Sequence, residues 1–157
     1  MIAQLGTLED EMRGKYLTFA VDNGNYGIEI KYVTDIIAVQ EITPVPNTHN
    51  YLKGLINLRG TVVPIIDMRL RFGLPEIPYT QRTCFIVLSL DEMTIGLIVE
   101  EVQEVCEIPD ASIKPPPKMS GAQPNNYFIR SICETGGNIK QLLDVEKVFG
   151  AGARLDD

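Results

Sequence analysis

The chain has 157 residues, about the size of one average domain, and carries 14 basic against 21 acidic residues, a formal net charge of −7. That acidity argues against wrapping a nucleic-acid backbone, which demands a basic face. Hydrophobic residues make up 45% of the chain, enough for a core, but no apolar run reaches the roughly 18 residues that a membrane span needs. The composition predicts a soluble, cytoplasmic protein with no nucleic-acid partner and no direct membrane insertion.

The sequence lacks the patterns typical of catalysis and metal binding. Its three cysteines, Cys84, Cys106 and Cys133, are scattered without a Cys-x-x-Cys pair, so we expect reduced thiols and no metal site. The single histidine, His49, lies in a polar stretch next to prolines, where a solvated loop is the usual structure. We therefore predict no catalytic residue and no cofactor. An alternative is a small-ligand-binding or enzymatic β-barrel that uses Asp67 or His49.

Short β-branched and aromatic runs separated by turn residues follow one another along the chain, which is typical of an all-β protein. The first hairpin is predicted from residues 16–21 and 26–30, with Asn23-Gly24 supplying the positive φ of its turn. Four further strands are predicted, at residues 61–67, 84–90, 94–99 and 139–144. Helical segments are predicted at residues 1–12, 67–72 and 144–149, the last two each beginning at a capping aspartate and ending at a glycine.

The second half of the chain repeats the pattern of the first. Placing Gly27 on Gly96 gives an offset of 69 residues, and placing Gly60 on Gly137 gives an offset of 77, so the second half holds eight more residues. The proline run at 114–118 falls where those residues belong. Two small β-barrels related by internal duplication would produce this pattern. Barrels of about 70 residues have marginal cores alone, so we expect them to share an apolar seam with a groove beside it.

We expect a single domain over residues 1–157. Within it, one subdomain is predicted at about 16–80 and the other at about 81–150, with exchange of terminal segments possible.

Residues 51–60, with the sequence YLKGLINLRG, place an arginine among apolar residues and two glycines. A partly buried arginine needs a carboxylate partner, because an unpaired guanidinium is costly to desolvate. Asp35 is the candidate partner of Arg59, since it follows the strand that should neighbour this turn. A solvent-facing turn arginine is the alternative.

The segment GLINLRGTVVPIID at residues 54–67 resembles the signature of the CheW family of bacterial chemotaxis coupling proteins, and EITPVP at 41–46 is similar to the sequence that precedes it. The resemblance extends from about Lys15 to Gly150. It implies two SH3-like five-stranded β-barrel subdomains and no enzymatic activity. It further implies an adaptor at membrane-associated receptor arrays, joining the cytoplasmic tips of methyl-accepting chemotaxis receptors to the regulatory domain of the histidine kinase CheA.

The resemblance also implies which residues bind the receptor's helical tip, in a groove between the subdomains. The expected apolar lining is Ile30, Val33, Ile36 and Val102, with Gly54 and Gly96 allowing close backbone approach, and with Asn57, Arg59 and Ser131 beside them. Ser131 stands where family members often have glycine. Kinase or array contacts are expected near the proline run, at Lys114, Lys118 and Met119. An adaptor of another chemosensory pathway, such as pilus motility, would share these features and is a second alternative.

Overall fold

The computed structural model describes residues 12–46, 49–116 and 127–152, and these residues form mainly β-strands. In chain order the strands are β1 (Lys15–Val21), β2 (Gly24–Glu29), β3 (Val33–Ala38), β4 (Leu52–Leu58), β5 (Thr61–Asp67), β6 (Cys84–Leu90), β7 (Met93–Val99), β8 (Glu101–Glu107), β9 (Ile113–Lys114), β10 (Ile129–Thr135) and β11 (Asn138–Leu143). Helix α1 (Met68–Arg71) follows β5 and helix α2 (Val145–Gly152) follows β11, while short 3-10 turns cover Ile30–Tyr32 and Asp110–Ser112. The all-β prediction is confirmed; the predicted helix at residues 1–12 lies outside the described residues except for Met12.

The strands form two sheets with the same internal order. One sheet runs β8-β1-β2-β11-β10-β9 and the other β3-β6-β7-β5-β4. At the sequence offsets of 69 and 77, each of the first five strands of the first sheet is the equivalent of the strand at the same position in the second sheet. The short β9 corresponds to an isolated bridge between Thr43 and Leu55. The fold is therefore two SH3-like barrels related by duplication, as predicted.

The two barrels have exchanged their first hairpins. Strands β1 and β2 pair with β8 and β11 from the second half of the chain, whereas β6 and β7 pair with β3 and β5 from the first half. We call the barrel of β3 to β7 the continuous barrel and the barrel of β1, β2 and β8 to β11 the split barrel. The sheets thus do not follow the ranges 16–80 and 81–150, and the division of the chain into two folding units at residue 80 stays a prediction.

The duplication is preserved down to the register of single residues. In each barrel one parallel pair joins the exchanged hairpin to the rest: Leu142 lies opposite Gly27, and Ile65 lies opposite Gly96. A Cβ atom added to Gly27 would come 2.8 Å from Leu142, and one added to Gly96 would come 2.6 Å from Ile65. Both glycines therefore make room for an equivalent apolar side chain of the neighbouring strand.

A central apolar cluster draws on both barrels. From the split barrel it includes Leu17, Phe19 and Ile28, and from the continuous barrel Ile86 and Leu97, all at most 1% exposed. Two smaller clusters fill the barrel interiors. The barrels thus bury their apolar surface against each other, which is the shared seam that the sequence predicts for subdomains too small to be stable alone.

The turns and helix ends differ in detail from the predictions. In the first hairpin it is Asp22 that has a positive φ, of 57°, and its equivalent Asp91 has a φ of 56°. The prediction that Asn23-Gly24 supplies the positive φ is therefore wrong, because the turn forms one residue earlier. Asp67 caps α1 by accepting hydrogen bonds from the backbone N–H groups of Arg69 and Leu70, as predicted.

Candidate functional site

The chain crosses from one barrel to the other at two equivalent places, through the 3-10 turn before β3 and through Glu100 before β8. Ile30 lies in the first crossing, Val33 begins the strand after it, and Val102 occupies the equivalent of Val33 after the second. All three are half-buried and pack against the edge of the central cluster. The predicted apolar lining therefore consists largely of seam residues that are still partly accessible.

Ile36 lies farther along β3 and is 47% exposed. Strand β3 is at the edge of its sheet. One of its sides pairs with β6, and no strand of that sheet pairs with the other. An exposed isoleucine on an edge strand next to a half-buried apolar rim offers contact area to a partner.

The hairpin between β4 and β5 presents Arg59 to Asp35 on β3. The Arg59 Nη2 atom lies 2.7 Å from Asp35 Oδ2, so the ion pair predicted from the sequence is present. Arg59 is 70% exposed and Asp35 22%, and both of the readings considered for this arginine therefore hold: it faces solvent and it is paired. An exposed pair contributes at most about 1 kcal/mol to stability, which leaves the guanidinium free to change partners at low cost.

Asn57 holds this hairpin in shape. Its Oδ1 accepts a hydrogen bond of 2.9 Å from the backbone N–H of Gly60. The turn itself needs positive φ at two residues, 51° at Arg59 and 86° at Gly60. Arg59 thus occupies a left-handed conformation that non-glycine residues adopt at a cost of about 1 kcal/mol or more. Asn57 closes the turn, and Arg59 is the residue that the turn displays.

Gly54 and Gly96 are both buried, and their own chain uses the space they provide. Gly54 has a φ of 146°, and a Cβ atom there would lie 2.0 Å from the carbonyl oxygen of Thr43. Gly96 accommodates Ile65, as described above. The close approach that these glycines allow is that of Thr43 and Ile65, and their place in a receptor groove stays a prediction.

Ser131 is the equivalent of Gly54 in the split barrel. It is buried, and its hydroxyl oxygen has no hydrogen-bond partner among the described residues. The structure therefore does not expose Ser131 to a partner.

Of the predicted kinase or array contacts, Lys114 is exposed on the short edge strand β9. Lys118 and Met119 lie outside the described residues.

Four exposed apolar side chains form two equivalent pairs, and three of them are new to the site. Their exposures are 47% for Ile36 and 53% for its equivalent Val105, and 59% for Val62 and 56% for its equivalent Ile139. Only Ile36 was among the predicted site residues. The duplication could have pointed to Val105, because the offset of 69 places Ile36 on it. The offset of 77 likewise pairs Val62 with Ile139.

The sequence reading also missed Arg69, which ties the crossing region together. Its Nη1 atom lies 3.0 Å from Glu100 Oε2 and 3.2 Å from Asp22 Oδ1. Burial opposes the charge, but the hydrogen bonds with Glu100 and Asp22 outweigh it and raise the pKa of Arg69. These bonds connect α1 of the continuous barrel with a hairpin turn of the split barrel and with Glu100 in the second crossing.

The alternative of a ligand-binding or enzymatic site at Asp67 or His49 finds little support in the geometry. Burial raises the pKa of Asp67, but its carboxylate is occupied as the α1 cap. The adjoining cavity is about 10 Å³, room for about one water molecule. His49 is exposed and stacks on the Tyr51 ring at 5.0 Å between centroids.

Within the residues that the structure describes, no cluster of three or more potential ligands could hold a metal ion. Over the same residues, no helix has the length and apolarity to cross a membrane.

The chain matches the CheW-like domain family over residues 15–152. It is 31% identical to the chemotaxis protein CheW of Klebsiella aerogenes, over 96% of this chain and 90% of that protein. It is 32% identical to the chemotaxis protein CheW of Bacillus subtilis, over 91% of each. Among solved structures it resembles the scaffolding protein TtCheW from Thermoanaerobacter tengcongensis with a TM-score of 0.81 and 28% identity, over 90% of this chain and 96% of that one.

Two packed barrels with exposed apolar pairs and a surface ion pair define a protein-interaction scaffold. Within that class, this chain belongs to the CheW-like domain family, whose fold and length it shares almost throughout. It is a scaffold of bacterial chemosensory signalling, the role that both the resemblance in the sequence and the matched proteins give.

Proposed function

We propose that this protein is a non-catalytic adaptor that couples methyl-accepting chemotaxis receptors to the histidine kinase CheA at membrane-associated receptor arrays. The observation that carries the proposal is the set of half-buried apolar residues at the seam, Ile30, Val33 and Val102, beside the exposed Ile36 and the Arg59–Asp35 pair. An apolar rim next to an exposed, exchangeable ion pair suits a helix that has one apolar face and a polar flank.

The receptor's helical tip would place apolar side chains spaced at i, i+3 and i+4 against the seam residues. Val33 and Val102 follow equivalent crossings, so a helix lying along the seam would contact both barrels at once. Any receptor state that changes the position of the helix would then change its affinity for the bound adaptor. Only such differential binding can shift the kinase between its activity states.

The kinase contact is proposed on a different surface. Exposed apolar side chains at Val105 and Ile139 lie on the split barrel, in the sheet that does not contain β3, and Lys114 adds an exposed charge on β9 of that sheet. The regulatory domain of CheA, which the resemblance implies has the same fold, would meet this surface barrel to barrel. Lys118 and Met119, which follow Lys114 in sequence, are kept as predicted contacts.

The test is a reconstituted assay of CheA autophosphorylation with receptor-containing membranes. We call the half-buried residues Ile30, Val33 and Val102 the seam rim. Val33→Arg places a charge in this rim and should abolish receptor-dependent activation, while binding to CheA in the absence of receptor is kept. Ile77→Arg changes an exposed apolar residue in the loop after α1 and serves as the control; it should activate like the unmodified protein. Equal activation by the Val33→Arg protein would contradict the groove, and no binding of either partner to the unmodified protein would contradict the adaptor function.

An adaptor of another chemosensory pathway has the same fold and predicts the same rim. Affinity capture with purified kinases of the different chemosensory systems of one organism would separate the two. Selective retention of a kinase other than that of the chemotaxis receptors would favour the alternative.

A further inference from the structure

Arg71 lies between two aromatic rings where the barrels meet. Its guanidinium carbon is 4.3 Å from the centre of the Tyr51 ring and 4.5 Å from the centre of the Phe128 ring. Tyr51 and Phe128 are equivalent residues at the offset of 77, each just before the strand that carries Gly54 or Ser131. Arg71 itself has no charged equivalent, since the matching residue of α2 is the buried Val148. The cation therefore exists in one half of the duplication only.

Arg71 has no counter-charge among the residues that the structure describes. Arg69, two residues earlier, bonds to Asp22 and Glu100, whereas the buried Nε of Arg71 has no acceptor. Burial lowers the pKa of Arg71, and the nearby tyrosines oppose this only in part. A partly desolvated cation without an anionic partner is costly, so an anion that reaches it gains free energy that a solvated arginine would not supply.

The surroundings of Arg71 are aromatic and basic. Tyr127 packs edge-on against Phe128 at 5.0 Å between ring centroids, and Lys147 Nζ lies 5.0 Å from the centre of the Tyr127 ring. Tyr127 and Lys147 are exposed. The carboxylate that begins α2, Asp144, accepts a hydrogen bond from the backbone N–H of Lys147 as a helix cap. Lys147 thus lies over the exposed Tyr127 ring, and Arg71 lies over the neighbouring Phe128 ring, on a protein whose net charge is −7.

The packing also limits the shape of the anion. Because two rings lie close to the guanidinium and its Nε is buried, we expect an anion to approach its Nη atoms. A carboxylate is planar and can accept two parallel hydrogen bonds from these atoms. The exposed Tyr127 ring and Lys147 then offer further contacts to a chain that carries the carboxylate, which a free ion would not use.

We propose that Arg71, between Tyr51 and Phe128 and beside Tyr127 and Lys147, binds a carboxylate side chain from an acidic segment of a partner protein. The site uses none of the residues of the seam rim or of the Arg59–Asp35 pair, and the proposal does not depend on the proposed receptor groove. Its partner is defined by chemistry: a peptide segment rich in glutamate or aspartate.

The experiment is an NMR titration of the full chain, labelled with 15N, in which the Arg71 side-chain Nε–Hε signal is followed. A hexaglutamate peptide is the probe, hexaglutamine is the neutral control, and inorganic phosphate tests for a free anion. Hexaglutamate should shift the Arg71 signal and the Tyr127 backbone signal in a saturable way, and hexaglutamine should shift neither. Arg71→Met keeps the aliphatic stem between the rings and should weaken hexaglutamate binding at least tenfold. Arg82→Met removes an arginine that is 75% exposed and should leave binding within twofold.

Failure of hexaglutamate to shift the Arg71 signal in the unmodified protein would overturn the proposal, and this result needs no variant to fold. Equal binding by the Arg71→Met protein, or saturation by phosphate when hexaglutamate does not bind, would overturn it as well. If Arg71→Met unfolds the chain, Arg71→Lys keeps the charge without the bidentate edge, and its affinity for hexaglutamate should still fall several-fold.

Discussion

The continuous barrel and the split barrel share a strand order, yet their interiors differ in polarity. The continuous barrel is filled by buried apolar residues, among them Val63, Phe85, Val87 and Ile98. The equivalent residues of the split barrel, in the same order, are Lys140, Tyr16, Thr18 and Glu29. One copy of the duplicated fold is thus held by apolar contacts and the other by a mixture of apolar and polar ones.

Three of the polar residues of the split barrel have partners within it. The Thr18 hydroxyl donates to the Glu104 carbonyl oxygen at 2.9 Å, and Arg130 lies 2.6 Å from Glu29. Lys140 lies 3.6 Å from Glu104 Oε1. Buried polar groups are tolerated when each has a partner. The comparison therefore teaches that strand pairing fixes the barrel, while its interior can change in polarity where the charges have partners. The hydroxyl of Ser131, which has no partner among the described residues, is the exception.

Exchanging interior residues between the barrels should destabilise the protein in one direction and not in the other. Val63→Lys copies Lys140 into the continuous barrel, where Val63 is 0% exposed and its cluster is apolar. We expect a loss of about 3–5 kcal/mol in the free energy of unfolding, the range for an uncompensated buried charge. Urea denaturation followed by circular dichroism measures it.

Lys140→Met is the matched reverse change. The Glu104 side chain that pairs with Lys140 is 65% exposed, and such a pair contributes at most about 1 kcal/mol. Since methionine also removes the cost of burying the lysine charge, we expect the free energy of unfolding to stay level or rise by about 1 kcal/mol. If Val63→Lys were tolerated as well as Lys140→Met, the difference between the interiors would have no energetic consequence.

The next largest effect is expected at the paired positions Gly54 and Ser131. Gly54→Ser should cost about 3 kcal/mol or more, because the side chain would collide with the Thr43 backbone and the φ of 146° is strained for any residue with a Cβ atom. Ser131→Ala removes a buried hydroxyl that has no partner among the described residues, and should stabilise the protein by about 1 kcal/mol. Thermal unfolding of both variants measures the two changes, and a Gly54→Ser loss no greater than 1 kcal/mol would show that Thr43 can move away.

These pairs also show what could be predicted from the sequence. The strongly apolar strands β5 and β6 were predicted with the bounds that the structure has, because their β-branched runs are unambiguous. Strand β8, EVQEVCE, was missed because its charges and exposed faces hide the alternation. Strand β4 was missed because Gly54 interrupts its apolar pattern. The reason for a glycine there is the close approach of Thr43, which is distant in sequence.

The exchange of the first hairpins could not be predicted from the offsets. Alignment of the halves identifies Gly27 with Gly96, but it does not say whether β2 pairs with β5 or with β11. That choice depends on how the two barrels share the central cluster, which is a property of packing. For the same reason the sequence pointed to Arg59 and Asp35, which lie in one barrel, and missed Arg71, whose ring contacts come from both halves.

The two β-hairpin turns at the ends of the barrels differ in one residue, and a smaller effect is expected there. Arg59 has a φ of 51°, and its equivalent in the split barrel is Gly136, with a φ of 58°. Arg59→Gly relieves the strain but loses an exposed ion pair, so the free energy of unfolding should change by less than about 1 kcal/mol. Receptor-dependent activation of the kinase should nevertheless fall strongly. Arg59→Asn tolerates the same φ and should behave alike; a loss of stability above 2 kcal/mol, or unchanged activation in both variants, would contradict this prediction.

The smallest effect concerns the cap that begins α1. Asp67 is 4% exposed, and burial raises its pKa above the ordinary value of 3.8, although hydrogen bonds from the Leu70 and Arg69 backbone oppose this. The folded protein therefore holds this proton more tightly than the unfolded chain. The resulting stabilisation is fully present below pH 3.8 and is lost as the pH rises through the folded-state pKa.

Asp67→Asn removes this titration while keeping an oxygen that can accept both backbone hydrogen bonds, which in the unmodified protein go to Oδ1 alone. The free energy of unfolding of the variant, relative to the unmodified protein, should rise with pH above 3.8 by about 1 kcal/mol or less, and should level off below it. Urea denaturation at several pH values between 3 and 8 measures the difference. The prediction is contradicted if the free energy of unfolding of the variant, relative to the unmodified protein, is constant over this range or falls as the pH rises. The Asp67 carboxylate of the continuous barrel would then be at least as stable inside the protein as in water, and its burial would carry no cost.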